Sequence, residues 1–486
     1  MMNPLFPFHE YIPDGEPRVF GDRVYLYGSH DKEGGDRFCM LDYTVYSAPV
    51  SDLTKWICHG TSYKKAQDPR SKNGKLVDYY APDCVKGNDG KYYLYYFASG
   101  PNIAPFGPMS VAVSDKPEGP FEYLSEIKYK DGTPVLKYLT NDPAVINDDG
   151  RIWLYYGWGL GRDFGNKLFK PLYHFVLSKL CHRTLKNIKS AKPSALSCAV
   201  VELEQDMCTV KTEPKAVLDS KTSAKKGAES YEHAFYEAPS IRKFGDWYYL
   251  IYSSAHNNEL AYAMSKYPDR EFAYKGVLVS NSDLGYKGNT QRKAPAGTIH
   301  GSVEKINGEY YVFYHRCTNN TDFSRQACAE PITMNADGTF NQAEITTQGL
   351  NDKPLEGNGK FPAVICCNLF NAKIKGVQGN GHGEDQPNIT CSNGERYIRA
   401  ITKGTTVGYK YFSFENTKKL SVTVRGTQGR ISVGLTPDNP LVILPIIASS
   451  KWKTYTADFP IPNGVYPLYF TYQGKGKIDF LDFEIE

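Results

Sequence analysis

One pattern of hydrophobic and polar positions recurs along the first two thirds of the chain. Each copy starts with a turn of Gly, Asp or Asn and continues into a run of alternating aromatic and aliphatic residues. Such turns favour tight hairpins, and the alternation is typical of a β-strand. The copies are GDRVYL ending at Leu26, DGKYYL at Leu94, DGRIWL at Leu154, GDWYYL at Leu250 and NGEYYV at Val312. The pattern predicts five hairpins, each at the centre of a small antiparallel sheet.

Five small sheets in succession indicate an all-β fold, a five-bladed β-propeller in which the first strand of every blade lines a central channel. An ionisable residue lies at a nearly constant distance before the end of each copy. These residues are Asp14, Asp83, Asp142, Glu237 and His300. Because equivalent positions of the blades meet at one end of the channel, we expect these five side chains to form a ring around one pocket.

Each of these acids has a simpler interpretation as a turn former, since Asp beside Pro or Gly commonly has that role. Turn chemistry does not, however, demand an ionisable group on every blade. Clustered carboxylates repel one another, and that cost is usually tolerated where it sets pKa values for catalysis or holds a cation. The shared register therefore favours a functional site. It selects Asp14 over Glu16, which lies two residues further along and is expected only to assist.

The pattern changes after about residue 350. Short alternating runs such as Leu420–Val424 and Pro467–Tyr472 indicate a β-sandwich of the jelly-roll type. We predict a propeller over residues 1–350 and a sandwich over residues 355–486. A Lys- and Ser-rich segment, residues 167–229, interrupts the propeller pattern and contains a largely apolar run from Leu172 to Leu180. We expect it to form a loop or an extra hairpin near the mouth of the pocket.

Charge and cysteine content narrow the class of protein. The 486 residues carry a net charge of +4 and no basic stripe, which argues against a nucleic-acid partner. No segment reaches the apolar length of a membrane span, and the N-terminus lacks the pattern of a secretory signal. The 11 cysteines are scattered, without CxxC pairs or zinc-finger spacing. We expect reduced thiols in a cytoplasmic protein, the alternative being a secreted protein whose signal has been removed.

Paired acids in a pocket with aromatic side chains match the hydrolysis of glycosides. That reaction needs one protonated acid to donate a proton to the leaving oxygen and one ionised carboxylate. A third carboxylate nearby can hold the acid protonated near neutral pH by like-charge repulsion. The 37 tyrosines suit stacking on sugars, although a β-rich core also uses tyrosine.

Five segments together resemble glycoside hydrolase family 43, from about residue 3 to about residue 350. The segments are IPDGEPRVFGDRVYLYGSHD, YYAPDCV, NDPAV, FYEAPSIRKFGDWYYLIYSS and IHGSVEKINGEYYVFYHR. The resemblance implies a five-bladed propeller and an inverting mechanism that requires no cofactor for its chemistry. Carried over position by position, it implies that Asp14 is the general base, that Asp142 modulates the pKa of the acid and orients it, and that Glu237 is the general acid.

The same resemblance implies substrate-binding residues, namely Tyr80, Asp83, His300 and Arg325. Tyr80 stands where relatives often have Trp, so an aromatic platform is retained. Arg325 resembles an arginine that reaches the substrate and the Asp142 carboxylate. His300 corresponds to a histidine near the propeller axis. It either holds a structural calcium ion through water or is a hydrogen-bonding residue of the pocket.

The end of the chain, from Lys477 to Phe483, resembles the last strand of a family 6 carbohydrate-binding module. Lys477 departs from that pattern, because binding members commonly have Asn there. Trp452 is the only tryptophan of this region. The alternative is a sandwich that supports the propeller or borders its pocket.

We therefore predict an exo-acting hydrolase that releases terminal α-L-arabinofuranose from plant cell-wall-derived oligosaccharides. A β-D-xylosidase of the same fold and mechanism is the alternative within this class. A propeller lectin without turnover is the alternative from another class, and it would not need three carboxylates. A retaining fructan-type hydrolase is a further alternative, but the chain lacks the Trp-Met-Asn-Asp-Pro-Asn opening that such enzymes resemble. The sequence does not indicate the oligomeric state.

Overall fold

The computed structural model describes residues 2–100, 103, 106–159, 170–180, 184–190, 196–374, 382–383 and 385–486. Its regular structure is almost entirely β, as predicted. The described helices are α1 (Lys170–Leu180), α2 (Leu185–Ser190), α3 (Glu229–Glu232) and the 3-10 turns Lys65–Gln67, Tyr286–Gly288 and Ala363–Ile365. Within the described residues, no helix is both long enough and apolar enough to pass through a membrane.

Five antiparallel sheets follow one another along the chain and form the blades of a propeller. Blade 1 contains β1 (Glu16–Phe20), β2 (Arg23–Tyr27), β3 (Tyr43–Pro49) and β4 (Ile57–Tyr63). Blade 2 contains β5 (Asp78–Lys86), β6 (Tyr92–Ser99), β7 (Ser110–Ser114) and β8 (Glu122–Glu126). Blade 3 contains β9 (Ala144–Asp148), β10 (Arg151–Gly157), β11 (Ser197–Leu203) and β12 (Lys215–Asp219). Blade 4 contains β13 (Phe235–Phe244), β14 (Trp247–Ser254), β15 (Glu259–Ser265) and β16 (Ala273–Ser280), and blade 5 contains β17 (Ser302–Ile306), β18 (Glu309–Cys317) and β19 (Arg325–Pro331).

The five predicted hairpins are the first two strands of the five blades, so this prediction is confirmed. The closing residue of each sequence copy is buried and faces the preceding blade. Aromatic residues of the same strands fill the spaces between blades, as Tyr27, Tyr79 and Tyr96 do between blades 1 and 2. The high tyrosine content is therefore largely explained by packing between blades.

The N-terminal segment closes the ring. The Leu5 backbone N–H donates a hydrogen bond to the Ala327 carbonyl of β19 at 2.9 Å. Leu5 and Phe6 are buried in the same apolar cluster as Leu26 and Phe313, which belong to blades 1 and 5. The first residues thus join the last blade to the first, and blade 5 needs only three strands of its own.

Strand register arranges the channel-lining residues in layers. The residues that pair with the closing residue of each copy are equivalent, and they are Pro17, Cys84, Val145, Ile241 and Val303. Three positions before each of these paired residues in the sequence is a residue of the upper layer, which consists of Asp14, Ala81, Asp142, Ala238 and His300. One position earlier lies a middle layer of Glu16, Asp83, Ala144, Ser240 and Ser302. One position later lies a lower layer of Arg18, Val85, Ile146, Arg242 and Glu304.

The middle and lower layers contain a buried network that we call the axial ion-pair cluster. Its members are Glu16, Arg18, Asp83, Arg242 and Glu304. The Arg18 guanidinium contacts Asp83 at 2.5 and 2.9 Å, while Arg242 contacts Glu16 at 3.0 Å and Glu304 at 2.9 Å. Removing charges from water is costly unless they are paired and hydrogen-bonded, and here each guanidinium also donates to a backbone carbonyl. The cluster therefore closes the channel beneath the upper layer.

Two six-stranded sheets follow the propeller and pack face to face as a β-sandwich. One sheet contains β20 (Leu355–Glu356), β22 (Asn368–Phe370), β25 (Thr406–Phe414), β27 (Gly429–Thr436), β28 (Asn439–Ile446) and β30 (Gly464–Gly474). The other contains β21 (Gly359–Pro362), β23 (Asn388–Ser392), β24 (Glu395–Ile401), β26 (Lys419–Gly426), β29 (Ser449–Asp458) and β31 (Ile478–Ile485).

The sandwich rests on blades 1 and 5 through polar contacts. Arg396 forms an ion pair with Glu33 at 2.6 Å, and the Asn319 backbone N–H donates to the Ile389 carbonyl at 2.7 Å. Lys410 contacts Glu344 at 2.9 Å. These contacts suit a supporting role, and sugar binding by the sandwich stays a prediction.

The segment from 167 to 229 differs from its prediction. Its apolar run forms helix α1 rather than a loop or a hairpin, consistent with the helical spacing of Leu172, Phe175 and Val176. The segment also supplies β11 and β12, the outer strands of blade 3. Buried Ile188 of α2 belongs to a small apolar cluster with Phe106 and Trp158 packed against it.

We expect the replacement Arg242→Met to destabilise the protein by about 3–5 kcal/mol, because Glu16 and Glu304 would lose a buried partner. Differential scanning calorimetry and urea unfolding measure this change. Arg151→Met is the matched control, since the Arg151 side chain is 55% exposed and its partner Glu202 keeps Lys211. We expect the control to lose less than about 1 kcal/mol. Equal losses in the two variants would contradict a structural role of the cluster.

Candidate active site

The channel opens above the upper layer into a cavity of about 390 Å³. Six of the seven residues predicted from the sequence line it, namely Asp14, Tyr80, Asp142, Glu237, His300 and Arg325. The remaining lining residues are Phe38, Phe97, Ser99, Phe106, Asn141, Trp158, Tyr236, Ala238, Thr298 and Ile299. The structure thus brings the three predicted catalytic carboxyl groups to one place.

Asp83 is the seventh predicted residue, and it does not line the cavity. It is fully buried in the middle layer, where it accepts hydrogen bonds from Arg18 and from the Val145 backbone N–H. The turn between β5 and β6 has five residues, whereas the other four hairpins have two. Counting back from the end of the sequence copy therefore reaches the level of Glu16 rather than that of Asp14. The prediction that Asp83 binds substrate is wrong.

The backbone is strained at the upper layer in four blades. Asp14, Ala81, Asp142 and Ala238 have φ values of 57°, 40°, 46° and 59°. A left-handed backbone is uncommon outside glycine, although Asp tolerates it better than most residues. Strain of this kind persists where the surrounding structure enforces it, frequently at functional sites. Here the strained residues belong to the upper layer, which faces the cavity.

Asp14 is buried and held by a cation. Its Oδ1 atom lies 2.7 Å from Nη1 of Arg325 and 3.9 Å from Nδ1 of His300. Burial alone would raise the pKa of this carboxyl, but Arg325 and the neighbouring histidines lower it below its ordinary value. Asp14 is therefore ionised at neutral pH and can accept a proton.

Arg325 is positioned differently from its prediction. Its guanidinium contacts both oxygens of Asp31, at 2.8 and 3.0 Å, in addition to Asp14. It also stacks on the ring of Phe38, 4.7 Å from the ring centre. The predicted contact with Asp142 is replaced by the contact with Asp14, and the side chain of Arg325 is buried.

His315 is a site residue that the sequence reasoning missed. It is fully buried, its Nε2–H donates to the Thr298 carbonyl at 2.6 Å, and its Nδ1 accepts from the Asp14 backbone N–H at 3.3 Å. Burial and the positive charge of Arg325 lower the pKa of His315 to about 3, so the ring is neutral. It fixes the backbone of Asp14 through a single tautomer. Its one sequence signal is its place three residues after Val312 in the fifth copy.

Asp142 and Glu237 form the other half of the site. The Asp142 Oδ2 atom accepts hydrogen bonds from the Asn141 amide at 2.7 Å and from the Ala238 backbone N–H at 3.0 Å. Because Ala238 directly follows Glu237, this contact fixes the backbone that carries the acid. Burial raises the pKa of Asp142 to about 6, with Asp14 adding to the rise and His300 opposing it.

Glu237 has the most strongly raised pKa of the three carboxyl groups. Burial, followed by the negative charges of Asp142 and Asp14, raises its pKa to about 8. Glu237 is therefore protonated at neutral pH. One cavity thus holds a proton donor and a proton acceptor made from the same type of group, which is the requirement for acid–base cleavage of a glycosidic bond.

His300 connects the cavity floor to the axial ion-pair cluster. Its Nε2 atom lies 3.5 Å from Oε1 of Glu16. Burial disfavours the charged ring, but Glu16, Asp14 and Asp142 outweigh it and raise the pKa of His300 to about 9. His300 is therefore an imidazolium at neutral pH. Glu16 is directed toward His300 and Arg242, below the cavity.

The surroundings of His300 do not fit the calcium ion that the family resemblance implies. Calcium prefers six to eight oxygen ligands. The nearest carboxylates, Asp14 and Glu16, are each already paired with an arginine. Beneath the cavity, the two guanidinium groups of the axial ion-pair cluster and the imidazolium of His300 balance the three carboxylates of the cluster. A dication at this level would therefore meet no excess of negative charge.

Aromatic side chains form the walls of the cavity. Trp158 lies 5.1 Å from Phe106 and 6.0 Å from Tyr236 between ring centres, and Tyr80 lies 5.7 Å from Phe97. Apolar faces with a few fixed polar groups are typical of sites that bind small organic ligands. Trp158, Phe106 and Tyr236 were not singled out by the sequence reasoning, because no repeat position marks them.

Comparisons with known proteins identify the family of the chain. The model of the glycosyl hydrolases family 43 matches residues 8–340. A xylosidase/arabinosidase of Thermoclostridium stercorarium is 39% identical over 500 residues, which cover 99% of this chain and 98% of the relative. A β-xylosidase of Xylanibacter ruminicola is 27% identical over 69% of this chain and 97% of the relative.

A solved structure shows the same fold. It is a family 43 β-xylosidase/α-arabinofuranosidase from a compost microbial metagenome, in complex with xylotriose and in a calcium-free form. The two chains superpose with a TM-score of 0.53 at 27% identity, over 70% of this chain and 97% of that one. The chain therefore belongs to glycoside hydrolase family 43, and it is a glycoside hydrolase of the arabinofuranosidase or xylosidase type.

Proposed function

We propose that the protein is an exo-acting, inverting hydrolase that releases terminal α-L-arabinofuranose from plant cell-wall-derived oligosaccharides. The observation that carries the proposal is the opposite shift of two carboxyl pKa values within one cavity. Asp14 has a lowered pKa and is the base, and Glu237 has a pKa of about 8 and is the acid. Asp142 maintains the difference, because its negative charge favours the protonated form of Glu237.

The reaction needs two proton transfers and no cofactor. Glu237 donates its proton to the glycosidic oxygen while Asp14 removes a proton from a water molecule that attacks the anomeric carbon from the opposite face. The bond to the leaving oxygen breaks as the bond to water forms, which inverts the anomeric configuration. Arg325 and His315 keep Asp14 in place throughout, and proton exchange with solvent restores both carboxyl groups after product release.

The shape of the cavity supports cleavage at the end of a chain. Its floor is closed by His300 and by the axial ion-pair cluster beneath it, so a saccharide cannot pass through the channel. A cavity of about 390 Å³ lies at the lower end of the range for small-molecule sites. One terminal sugar can therefore enter the aromatic enclosure while the rest of the oligosaccharide extends toward solvent.

A β-D-xylosidase is the second candidate. The Thermoclostridium stercorarium relative is named for both sugars, and the Xylanibacter ruminicola relative is named a β-xylosidase. The same acid and base can serve either pentose, because specificity depends on the cavity walls and not on the proton transfers.

We further infer a cytoplasmic location. All ten cysteines in the described part of the chain are free thiols, and seven of them are buried in the propeller or sandwich. Free thiols persist in a reducing compartment. Short oligosaccharides, once imported, would be suitable substrates there.

Parallel assays with 4-nitrophenyl α-L-arabinofuranoside and 4-nitrophenyl β-D-xyloside test the substrate. We expect turnover of both, with a higher kcat/KM for the arabinofuranoside. Proton NMR of the first product tests the stereochemistry, because the first-formed anomer should have the inverted configuration. Release of a sugar with retained configuration would reject the mechanism, and a higher kcat/KM for the xyloside would select the second candidate.

Replacing either catalytic carboxyl should abolish most of the activity. We expect Asp14→Ala and Glu237→Ala to lower kcat at least about 100-fold on a natural oligosaccharide, since each removes an acid or a base. The loss in Glu237→Ala should be smaller on the 4-nitrophenyl glycoside, because that leaving group departs without protonation. Glu122→Gln, an exposed carboxylate of β8, is the control and should retain full activity. Normal turnover in both Ala variants would contradict the assigned roles.

The pH profile of kcat/KM should be bell-shaped. Activity requires protonated Glu237, so it should fall as the pH rises through about 8. Toward low pH it should fall as the coupled carboxylates Asp142 and Asp14 take up protons. In Asp142→Asn the alkaline limb should move to lower pH by about one unit, because the like charge that raises the pKa of Glu237 is gone. An unchanged alkaline limb in that variant would show that Asp142 does not modulate the acid.

A further inference from the structure

Three side chains with metal-ligating atoms meet where the propeller touches the sandwich. Cys317 is the last residue of β18, Asp322 lies in the loop that follows, and His382 belongs to the sandwich side of the junction. Their ligand atoms all lie within 4.8 Å of one another, and Nε2 of His382 is 3.0 Å from Oδ1 of Asp322. The catalytic mechanism uses none of them.

Two of the three residues are buried beside a cavity, while the Asp322 side chain is 31% exposed. Cys317 and His382 are 6% and 5% exposed, and both line a small cavity of about 40 Å³ together with Asn320 and Asn388. A cavity needs about 10–15 Å³ of accessible volume to hold one water molecule, so this one has room for an ion or a water molecule beside Cys317 and His382.

Gly297 allows two of the ligand atoms to approach the backbone. A Cβ atom at this position would lie 2.5 Å from Sγ of Cys317 and 2.9 Å from Oδ1 of Asp322. Any other residue would displace both groups. The fold thus leaves space for the sulfur and the carboxylate to converge.

The chemical types of the three ligand atoms favour one class of metal ion over another. Thiolate and imidazole ligands suit zinc and similar transition metals, whereas calcium and magnesium prefer oxygen. Zinc binds sulfur at about 2.3 Å and nitrogen or oxygen at about 2.0–2.2 Å, so ligand atoms lie roughly 3–4 Å apart in a tetrahedral site. The atoms of this cluster need only small movements to reach that geometry, with water as a fourth ligand.

We propose that Cys317, Asp322 and His382 bind a zinc-type divalent cation that fastens the sandwich to blade 5. The ion forms a bond to Sγ, which requires loss of the thiol proton to solvent. Because metal binding competes with protonation of the thiol, it strengthens as the pH rises.

The position of this site connects it to the cavity wall. The loop that contains Asp322 leads into β19, whose first residue is Arg325, the partner of Asp14. Phe323 in this loop packs edge-on against Phe38, a cavity residue, with ring centres 4.7 Å apart. The bound ion would therefore steady the loop that precedes Arg325.

Titration of the full-length, chelator-dialysed protein with Co²⁺ tests the proposal. Co²⁺ substitutes for zinc and gives an intense thiolate-to-metal absorption band when a cysteine binds it. We expect this band to saturate at one equivalent in the wild type and to be absent in Cys317→Ser. Zn²⁺ should remove the band by displacement and should raise the melting temperature of the wild type but not that of Cys317→Ser. Cys58→Ser changes an exposed thiol elsewhere in the chain and is the matched control, which should behave as the wild type.

Two further variants keep the test decisive. His256→Ala alters the separate group of His233, His256 and Glu259, which has no sulfur, and should leave the band unchanged. Asp322→Asn retains the thiol, so it should show the band with at least about tenfold weaker affinity even if Cys317→Ser fails to fold. Absence of a saturable band in the wild type, its persistence in Cys317→Ser, or an unaltered affinity in Asp322→Asn would overturn the proposal.

Discussion

The ion pair between Arg325 and Asp14 makes otherwise similar carboxyl groups different, since Asp14 is ionised and Glu237 is protonated at neutral pH. Three carboxyl groups face one cavity, where Asp14 and Asp142 are buried and Glu237 is half-buried, so all lose stabilisation by water. Only Asp14 has a guanidinium group at hydrogen-bonding distance among the described residues, so it keeps its negative charge. That charge, together with the charge on Asp142, makes ionisation of Glu237 unfavourable. Burial and these two negative charges keep Glu237 protonated against the opposing positive charges of His300 and Arg325.

The propeller stabilises this arrangement with further charged groups beneath the cavity. The axial ion-pair cluster neutralises the channel below the site, and His300 links the two levels. Strand register determines both levels, since inward-facing positions of a β-strand recur every two residues. The strained backbone at Asp14 and Asp142 lies directly above a network that has little freedom to adjust. Catalytic geometry and the stability of the channel are thus consequences of the same strands.

Much of this architecture could be predicted from the sequence, because hairpin turns and alternating strands are local signals. The three candidate catalytic residues that line the cavity could be predicted because one repeat position carries Asp14 and Asp142, and because the family motif includes Glu237. Asp83 was misplaced because the hairpin turn of blade 2 is longer, so that Leu94 pairs with the residue ten positions before it, whereas the closing residues of the other copies pair nine positions back. The sequence pattern alone does not reveal this difference. Asp31 and His315 were missed because they act through partners hundreds of residues away, Arg325 and Asp14.

Carbon-13 NMR of the wild-type enzyme and of Glu237→Gln, both labelled at the glutamate carboxyl carbons, measures the central claim directly. Glu330 is also buried and has a pKa raised to about 8, so the Glu237 signal must be assigned by its absence from the variant. The account predicts that this signal titrates near pH 8 and reports a protonated carboxyl group at neutral pH. Titration of the Glu237 signal near the ordinary glutamate value, about 4.3, would contradict it.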